Sequence, residues 1–408
     1  MREGWKETTL GEVASVERGV SWSKEQESWQ PVQGAVPVVR IGNVQLSGIA
    51  MSETLYVRNV KKTSIDMKAI LTSTILMVGS NGNPDRVGNV HLAGTNLSGH
   101  LYASFLIGID CGASSLPEFL WMYLQSQAVQ ARISEATAGS TGLKNIRLAW
   151  LRSMVVQIPP LAEQKRIVDV IGAVDAYVAA LESYANAART ARAALLHELL
   201  TTNTEGWKET TLGEVAILSI GRTPSRANAK YWTDDLRYPF CTIADMAEKQ
   251  ISPSREGVTQ AAIDDGKARH VRAGSLLMSF KLTIGRVGFA AVDLFPNEAI
   301  VAITPGPSRS TREFLYFWLG SHDLTEGSGR AVKGATLNSA SLAAIRLLLP
   351  PLTEQKRIVD VIGTVDGAIA GADRAAEDAR NLRSGLLSDL LSGDHGIPES
   401  YDELLAAA

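Results

Sequence analysis

Several stretches of the chain carry the residue types that chemistry on nucleotides would need, and each lacks part of its set. Asn83-Pro84-Asp85 begins like the Asn-Pro-Pro-aromatic signature of amino-methyltransferases, but the second proline and the aromatic are missing. Gly79 to Gly88 is rich in Gly and Asn, as phosphate-cradling loops are, yet has no Gly-Lys-Ser/Thr, so it reads as a flexible turn. Glu163-Gln164-Lys165 and Glu354-Gln355-Lys356 mimic the Glu-x-Lys half of a nuclease site. Their nearest upstream aspartates are Asp110 and Asp323, too far to complete a local metal triad. Both glutamates fall in a first helical turn, where a carboxylate complements exposed amides by about 0.3 to 1 kcal/mol.

The remaining chemistry-bearing residues are scattered. His91, His100, His197, His270, His322 and His395 show no metal-ligand spacing, and Cys111 and Cys241 have no CxxC partner. Neither a zinc site nor a disulfide framework is indicated, so the expected setting is a reduced cytosol. Trp5 and Trp207 lie in identical blocks and suit packing, whereas Trp22, Trp29 and Trp232 suit packing or base stacking. What is left is a binding protein whose polar loops interleave Arg, Lys, Ser, Thr and Asn. Arg reaches guanine, and Asn reaches adenine, with two hydrogen bonds. Ordinary solvated loops have the same composition, so both readings stay open residue by residue.

These loops need a scaffold, and the chain has material for one. Its 408 residues are 45% hydrophobic and 20% charged, enough for two or three domains with real cores. The net charge of −3 gives no global positive field. The charge is nevertheless organised. Residues 4–158 hold 13 basic and 11 acidic side chains and residues 206–349 hold 17 and 14, whereas 159–205 and 350–408 are acidic on balance. No apolar signal core opens the sequence and no run of about 18 apolar residues occurs, which leaves secretion and membrane spanning unexpected.

The chain repeats itself. Gly4-Trp5-Lys6-Glu7-Thr8-Thr9-Leu10-Gly11-Glu12-Val13-Ala14 returns unchanged at Gly206 to Ala216, an offset of 202. The block from Pro159 to Asp175 returns at Pro350 to Asp366 with only Ala162 and Ala173 changed, both to Thr, at an offset of 191. Each repeat is thus a variable middle between nearly invariant ends, and its period is too long for a solenoid. The middles correspond more faintly. Pro37 to Asn43 aligns with Pro239 to Asp245, and Leu76-Met77 with Arg86-Val87-Gly88 answers Leu277-Met278 with Arg286-Val287-Gly288. Short β-rich runs such as Val36 to Ile41, Ile75 to Val78 and Ala299 to Ile303 predict strands, and Pro117 to Gln127 and Thr311 to Gly320 predict short helices. Each middle is expected to be an α+β domain.

After each double proline the pattern changes to a heptad seam. Apolar positions step by 4 and 3 from Ile167 through Ile171, Val174, Val178, Leu181, Ala185 and Ala188 to Arg192, Leu195 and Leu199. The second seam runs from Ile358 through Ile362, Val365, Ile369, Ala372, Ala376 and Ala379 to Arg383, Leu386 and Leu390. About 40 residues of helix span ~60 Å, and the natural partner of each seam is the other. The fold class expected is α+β: two domains each followed by a long helix, the helices pairing as an antiparallel coiled coil with pseudo-twofold symmetry and a domain at each end. The boundaries are 1–158, 159–205, 206–349 and 350–408, the last including a C-terminal tail. Two similar surfaces at a fixed separation suit a ligand that is itself twofold and long, as duplex DNA is.

The tandem order, the Pro-Pro-Leu-x-Glu-Gln-Lys-Arg-Ile-Val block, the Trp-Lys-x-x-x-Leu-Gly-Glu-Val block and Gly221-Arg222-Thr223-Pro224-Ser225 together resemble the DNA-specificity subunits of type I restriction-modification systems. The resemblance covers essentially the whole chain. It implies two target-recognition domains, each reading half of a split DNA sequence, and a helical spacer between them. It also implies two adenine-methylating subunits that bind S-adenosylmethionine, two motor and nuclease subunits that can join, no cofactor or catalysis of the chain's own, and a cytoplasmic, nucleoid-associated location in a bacterium or archaeon. Matching the family's loops to this chain gives Arg18, Ser21, Arg40, Asn43, Ser80, Asn81, Arg86, Lys144 and Asn145 as DNA contacts in the first domain. Those in the second are Arg222, Thr223, Ser225, Thr242, Asp245, Lys281, Arg286, Lys333 and Asn338. Two departures stand out: Gly19-Val20-Ser21-Trp22-Ser23 lacks the proline of its counterpart, which predicts a differently shaped loop, and the acidic tail from Gly396 reads as a solvated end. A scaffold that joins protein partners, or a self-sufficient methyltransferase or nuclease with diverged motifs, are the alternatives.

Overall fold

The computed structural model describes residues 4–137, 144–324, 337–393 and 395–402. The chain divides into two compact units, residues 1–182 with 374–408, and residues 183–373. Each contains one α+β domain and a part of each of two 41-residue helices, Leu161–Thr201 and Leu352–Ser392.

In the first unit, Val90–Leu92, Ile75–Val78, Leu106–Cys111 and Ala14–Arg18 form an antiparallel sheet in that order. Its core face carries Ile75, Met77, Ile107 and Ile109, which pack with Phe119, Leu120 and Leu124 of the helix Pro117–Gln125. Leu76, Val78 and Leu106 face the other way, into a smaller core with Val39, Val44 and Tyr102, because side chains on a strand alternate faces. The second unit repeats the plan with Ala216–Ile220, Ile300–Pro305, Leu276–Ser279, Val287–Ala290 and a short parallel edge strand, Gln250–Ile251. The helix Arg312–Ser321 covers it, with Phe314, Leu315 and Trp318 buried. Both hairpins share one register, Val90 facing Met77 and Val287 facing Met278. Val287 therefore corresponds to Val90, not to Val87, and the turn between the strands is longer in the first domain. The sequence match at Arg-Val-Gly misaligned this turn.

The invariant blocks are the joints of these units. Lys6–Thr9 pairs with Val155–Ile158 and Lys208–Thr211 with Arg346–Leu349, so each opening block forms a ribbon with the strand that enters the double proline. Thr9 and Thr211 start four-residue helices whose Glu12 and Glu214 carboxylates accept the threonine backbone N–H at 3.1 and 3.0 Å. Trp5 is buried and donates its indole N–H to Glu163 at 3.1 Å.

Gln164 and Gln355 are fully buried at the helix starts. The carboxamide of Gln164 accepts from the Leu116 N–H at 2.7 Å and donates to Ser114 and Pro159 carbonyls at 2.9 and 2.8 Å. Gln355 accepts from Thr311 N–H and the Ser310 hydroxyl and donates to Arg309 and Pro350 carbonyls. The amide of the Glu-Gln-Lys motif thus fastens each domain to its helix.

Within each unit the two helix segments run antiparallel. Asp175 pairs with Arg383 and Glu182 with Arg380 in the first unit, and Arg189 pairs with Asp373 and Arg192 with Asp366 in the second. By the repeat, Asp175 matches Asp366 and Arg192 matches Arg383, so one half-buried ion pair occurs twice. The seam arginines find their partners in the last residue of the invariant block. Reversing Asp175→Arg is expected to cost about 1 kcal/mol, lowering the first melting transition by about 2 to 4 °C. Adding Arg383→Asp should restore most of it, and calorimetry of the three variants checks this.

Two expectations need correction here. The seam was expected to close on Leu195 and Leu199, but Leu196 and Leu200 are the buried residues, packed with Ile358 and Ile362 in the second domain's core. A straight helix drifts about 20° per heptad from a 3.5-residue repeat, which moves the buried stripe by a residue at the far end. The tail is not a free solvated end either. Ile397 packs against the first core, and Asp402 accepts two hydrogen bonds from Arg166, both 2.8 Å, leaving the Arg166 side chain 11% exposed.

Candidate nucleic-acid interface

In each domain three loops meet at one end of the sheet. In the first, Gly79 N–H donates to Phe105 and Ile146 N–H to Gly79, both at 2.8 Å. In the second, Phe280 donates to Ala299 at 2.9 Å and Leu337 to Phe280 at 3.1 Å. The chain leaves the first sheet strand at a glycine in both cases, because the backbones nearly touch. A Cβ on Gly19 would lie 2.0 Å from the Tyr102 oxygen, and one on Gly221 2.1 Å from the Asn297 oxygen. The next N–H groups, of Val20 and Arg222, donate to Tyr102 and Pro296 at 2.8 and 2.9 Å. The two loops therefore begin alike despite the missing proline, and diverge beyond it into the turns Lys24–Gln26 and Ala229–Tyr231.

Several expected DNA contacts are consumed inside the protein. Arg18 donates to the Ser104 and Ile146 carbonyls at 3.1 and 2.7 Å and also to Ser80 and Asn145, while the Ser80 hydroxyl donates to Asn145. Arg18, Ser80 and Asn145 form one clasp across the three loops, and burial pushes the Arg18 pKa down. Asn43 is buried, accepting from Arg40 N–H at 2.8 Å and donating to the Ala50 carbonyl at 3.0 Å. Asp245 holds the equivalent position and accepts from the N–H and hydroxyl of Thr242 at 2.8 and 2.7 Å. Asn43, Thr242 and Asp245 thus cap the short turns Ile41–Asn43 and Ile243–Asp245. Their polar atoms are committed to the fold.

The others keep a face to solvent. Ser21, Arg222, Thr223, Ser225, Arg286 and Asn338 are exposed, and Arg40, Asn81, Lys144 and Lys281 are half-buried. Arg40 stacks on Trp29 at 4.6 Å, a half-exposed aromatic. Asn81 pairs with Lys144 in a two-residue ribbon. Arg86 and Arg286 reach from different points of their turns to equivalent carbonyls, Ile41 at 3.3 Å and Ile243 at 3.4 Å. Arg86, which also donates to Val44, is the more firmly held. Arg222 spends one N–H on Gly266 at 2.7 Å, and Asn338 caps the helix Ser339–Ala343. Lys333 lies outside the described residues.

Sequence reasoning missed Glu298, Lys267, Arg226 and Phe105. Gly221, Arg222, Thr223, Gly266, Lys267 and Glu298 line a shallow polar hollow. The Thr223 hydroxyl, helped by the charges of Lys281 and Arg226, holds the Glu298 carboxyl below the usual range. An ionised carboxylate of this kind is chemically able to accept from a base amino group such as that of cytosine. Arg226 lies 3.6 Å above the Trp232 ring and is clamped by Glu256, which accepts at 2.7 Å. Phe105 is 47% exposed beside Ser80. None of these carries a local signal, since each is defined by chain segments brought together from afar.

Among the described residues no group of three or more His, Cys, Asp or Glu could hold a metal ion, and no helix is long and apolar enough to cross a membrane. Burial pushes both the Cys111 and Cys241 thiols up to about 12. At pH 8 both thiols should resist alkylation in the folded chain and react after denaturation, as mass spectrometry would show.

A duplicated α+β domain whose loops converge at one sheet end, with antiparallel helix segments in each unit, is the architecture of a protein that presents one loop scaffold twice. Residues 2–188 and 204–374 each match the type I restriction modification DNA specificity domain, and the chain belongs to that family. It is 24% identical over 425 residues to the type I restriction enzyme StySPI specificity subunit of Salmonella potsdam, covering 93% of this chain and 85% of that one. Its fold matches a chain solved in a study of complex assembly and conformational transition of the type I R-M system, with a TM-score of 0.65, 19% identity and coverage of 96% and 99%. It also matches the HsdS subunit of Thermoanaerobacter tengcongensis, with a TM-score of 0.54, 19% identity and coverage of 97% and 98%.

Proposed function

We propose that this chain is the specificity subunit of a type I restriction-modification complex and reads a bipartite duplex DNA target. Residues 1–158 bind one half-site and residues 206–349 the other, while the helices set the spacing. Two adenine-methylating subunits, carrying S-adenosylmethionine, and two restriction subunits are directed to that target in the cytoplasm. The chain supplies no catalysis itself. The observation that carries this reading is the repeated convergence of three loops at one sheet end with different side chains on each. One scaffold presented twice with unlike decoration fits two unlike half-sites. Ser21, Arg40, Asn81 and Lys144 in the first domain, and Arg222, Thr223, Ser225, Lys281, Arg286 and Asn338 in the second, are the contacts retained, joined by Glu298, while Arg86 is held against the Ile41 and Val44 carbonyls. Arg18, Ser80, Asn145, Asn43, Thr242 and Asp245 hold the loops in place.

Selection from a random duplex pool by the chain with its methyltransferase partner tests this. Enrichment of two short sequences at one fixed spacing is expected. Salt-dependent retention with no enriched sequence would contradict it, because phosphate contacts alone produce such retention.

A further inference from the structure

Leu282 is the most exposed large apolar side chain among the described residues, 80% accessible, and its backbone φ of +61° lies in the left-handed region that glycine or asparagine adopts more readily. Two unfavourable features at one residue need something to hold them. The holder is Ser279, fully buried at the end of its strand. Its hydroxyl donates to the Thr283 carbonyl and accepts from Arg286 N–H at 3.1 Å, and its carbonyl accepts from Gly285 N–H at 2.9 Å. The turn from Phe280 to Gly285 is therefore pinned from beneath, with Leu282 at its crest. The corresponding turn of the first domain, Gly79 to Gly88, exposes no large apolar side chain, since its Val87 is buried.

The surroundings identify the occupant. Lys281 precedes Leu282, Arg286 closes the turn exposed, and Lys281 acts electrostatically on Glu298 beside Thr223. Two cationic side chains therefore flank one apolar projection at the same end of the sheet as the polar hollow. Resting on the proposed reading of DNA by this domain, we propose that Leu282 contacts DNA bases in the second half-site through their apolar surface, either the thymine methyl group or the face of a base step. Leu282 is thus a specificity-determining residue.

The test uses the whole chain with its methyltransferase partner on the duplex recovered by selection. Leu282→Gly relieves the backbone, so its melting temperature should hold or rise. Its affinity should fall about tenfold, with discrimination relaxed in the second half-site only and an unchanged salt slope. Leu282→Met should stay within about twofold of the parent, being apolar and of similar size. A loss reproduced in the parent by thymine-to-uracil replacement at one position identifies the methyl contact. Enhanced 2-aminopurine fluorescence at one step, absent in Leu282→Gly, identifies contact with the stack. If the parent selects a split target but Leu282→Gly binds it with equal affinity and base preference, the inference about Leu282 falls while the domain reading stands. Weaker co-purification of the methyltransferase with DNA preference intact would overturn it in favour of a protein contact. A parent without any split target removes both.

Discussion

Gln355→Leu is expected to loosen the second domain from its helix, at a cost of about 3 to 5 kcal/mol. Leucine fills most of the space but neither donates nor accepts. Thr311 N–H and the Ser310 hydroxyl lose an acceptor, and the Arg309 and Pro350 carbonyls lose a donor, all around a side chain with no solvent exposure. A buried polar group left without a partner costs about 1 to 3 kcal/mol, and relaxation recovers part of the sum. The melting transition of the second unit should drop by roughly 10 °C. Gln164→Leu should do the same to the first unit, where three hydrogen bonds are removed. The exposed neighbour Lys356 makes a control, since Lys356→Ala should move the midpoint by no more than about a degree. Calorimetry reads both. Equal midpoints for Gln355→Leu and Lys356→Ala would show that the motif does not act through its amide.

The second large effect falls on recognition. Removing Arg222 and Arg286 together should weaken binding of the second half-site by about 1 to 3 kcal/mol for each base edge that goes unread. Arg222 has one N–H committed to Gly266 and Arg286 a single long bond to Ile243, so both guanidiniums retain free donors. Binding isotherms on duplexes altered in one half-site at a time separate the alternatives. Relaxed discrimination at a defined position marks base reading, whereas uniform weakening with a salt slope lower by about one per residue marks phosphate contact. Unchanged affinity and unchanged preference in Arg222→Ala/Arg286→Ala would remove both from the interface.

The contrast between Arg222 and Arg18 shows what the sequence could disclose. Both precede or follow a glycine at the end of the first sheet strand, and both suit DNA by type. Arg18 is satisfied by Ser80 and Asn145, 62 and 127 residues further on. No local pattern announces such a clasp. The duplication, the strands and the seam were legible because identity, alternation and periodicity are local properties. The seam shifts at its far ends, to Leu196 and Leu200 in the first helix and from Leu386 to Leu387 in the second, where a domain core replaces the helix as packing partner. In the Glu-Gln-Lys motif the charged ends have the types that suggest catalysis, whereas the structural weight lies on the amide between them. Glu298 has no local signal for the converse reason, since Thr223 and Lys281 come to it from distant segments.

Mapping methylated adenine across the genome, in cells with this chain and its methyltransferase partner and in cells lacking only this chain, tests the central claim most directly. The account predicts that deletion abolishes methylation at one split motif carrying an adenine on each strand. It also predicts that Arg222→Ala/Arg286→Ala alters only the half of that motif read by the second domain. An identical methylation map with and without the chain would contradict it.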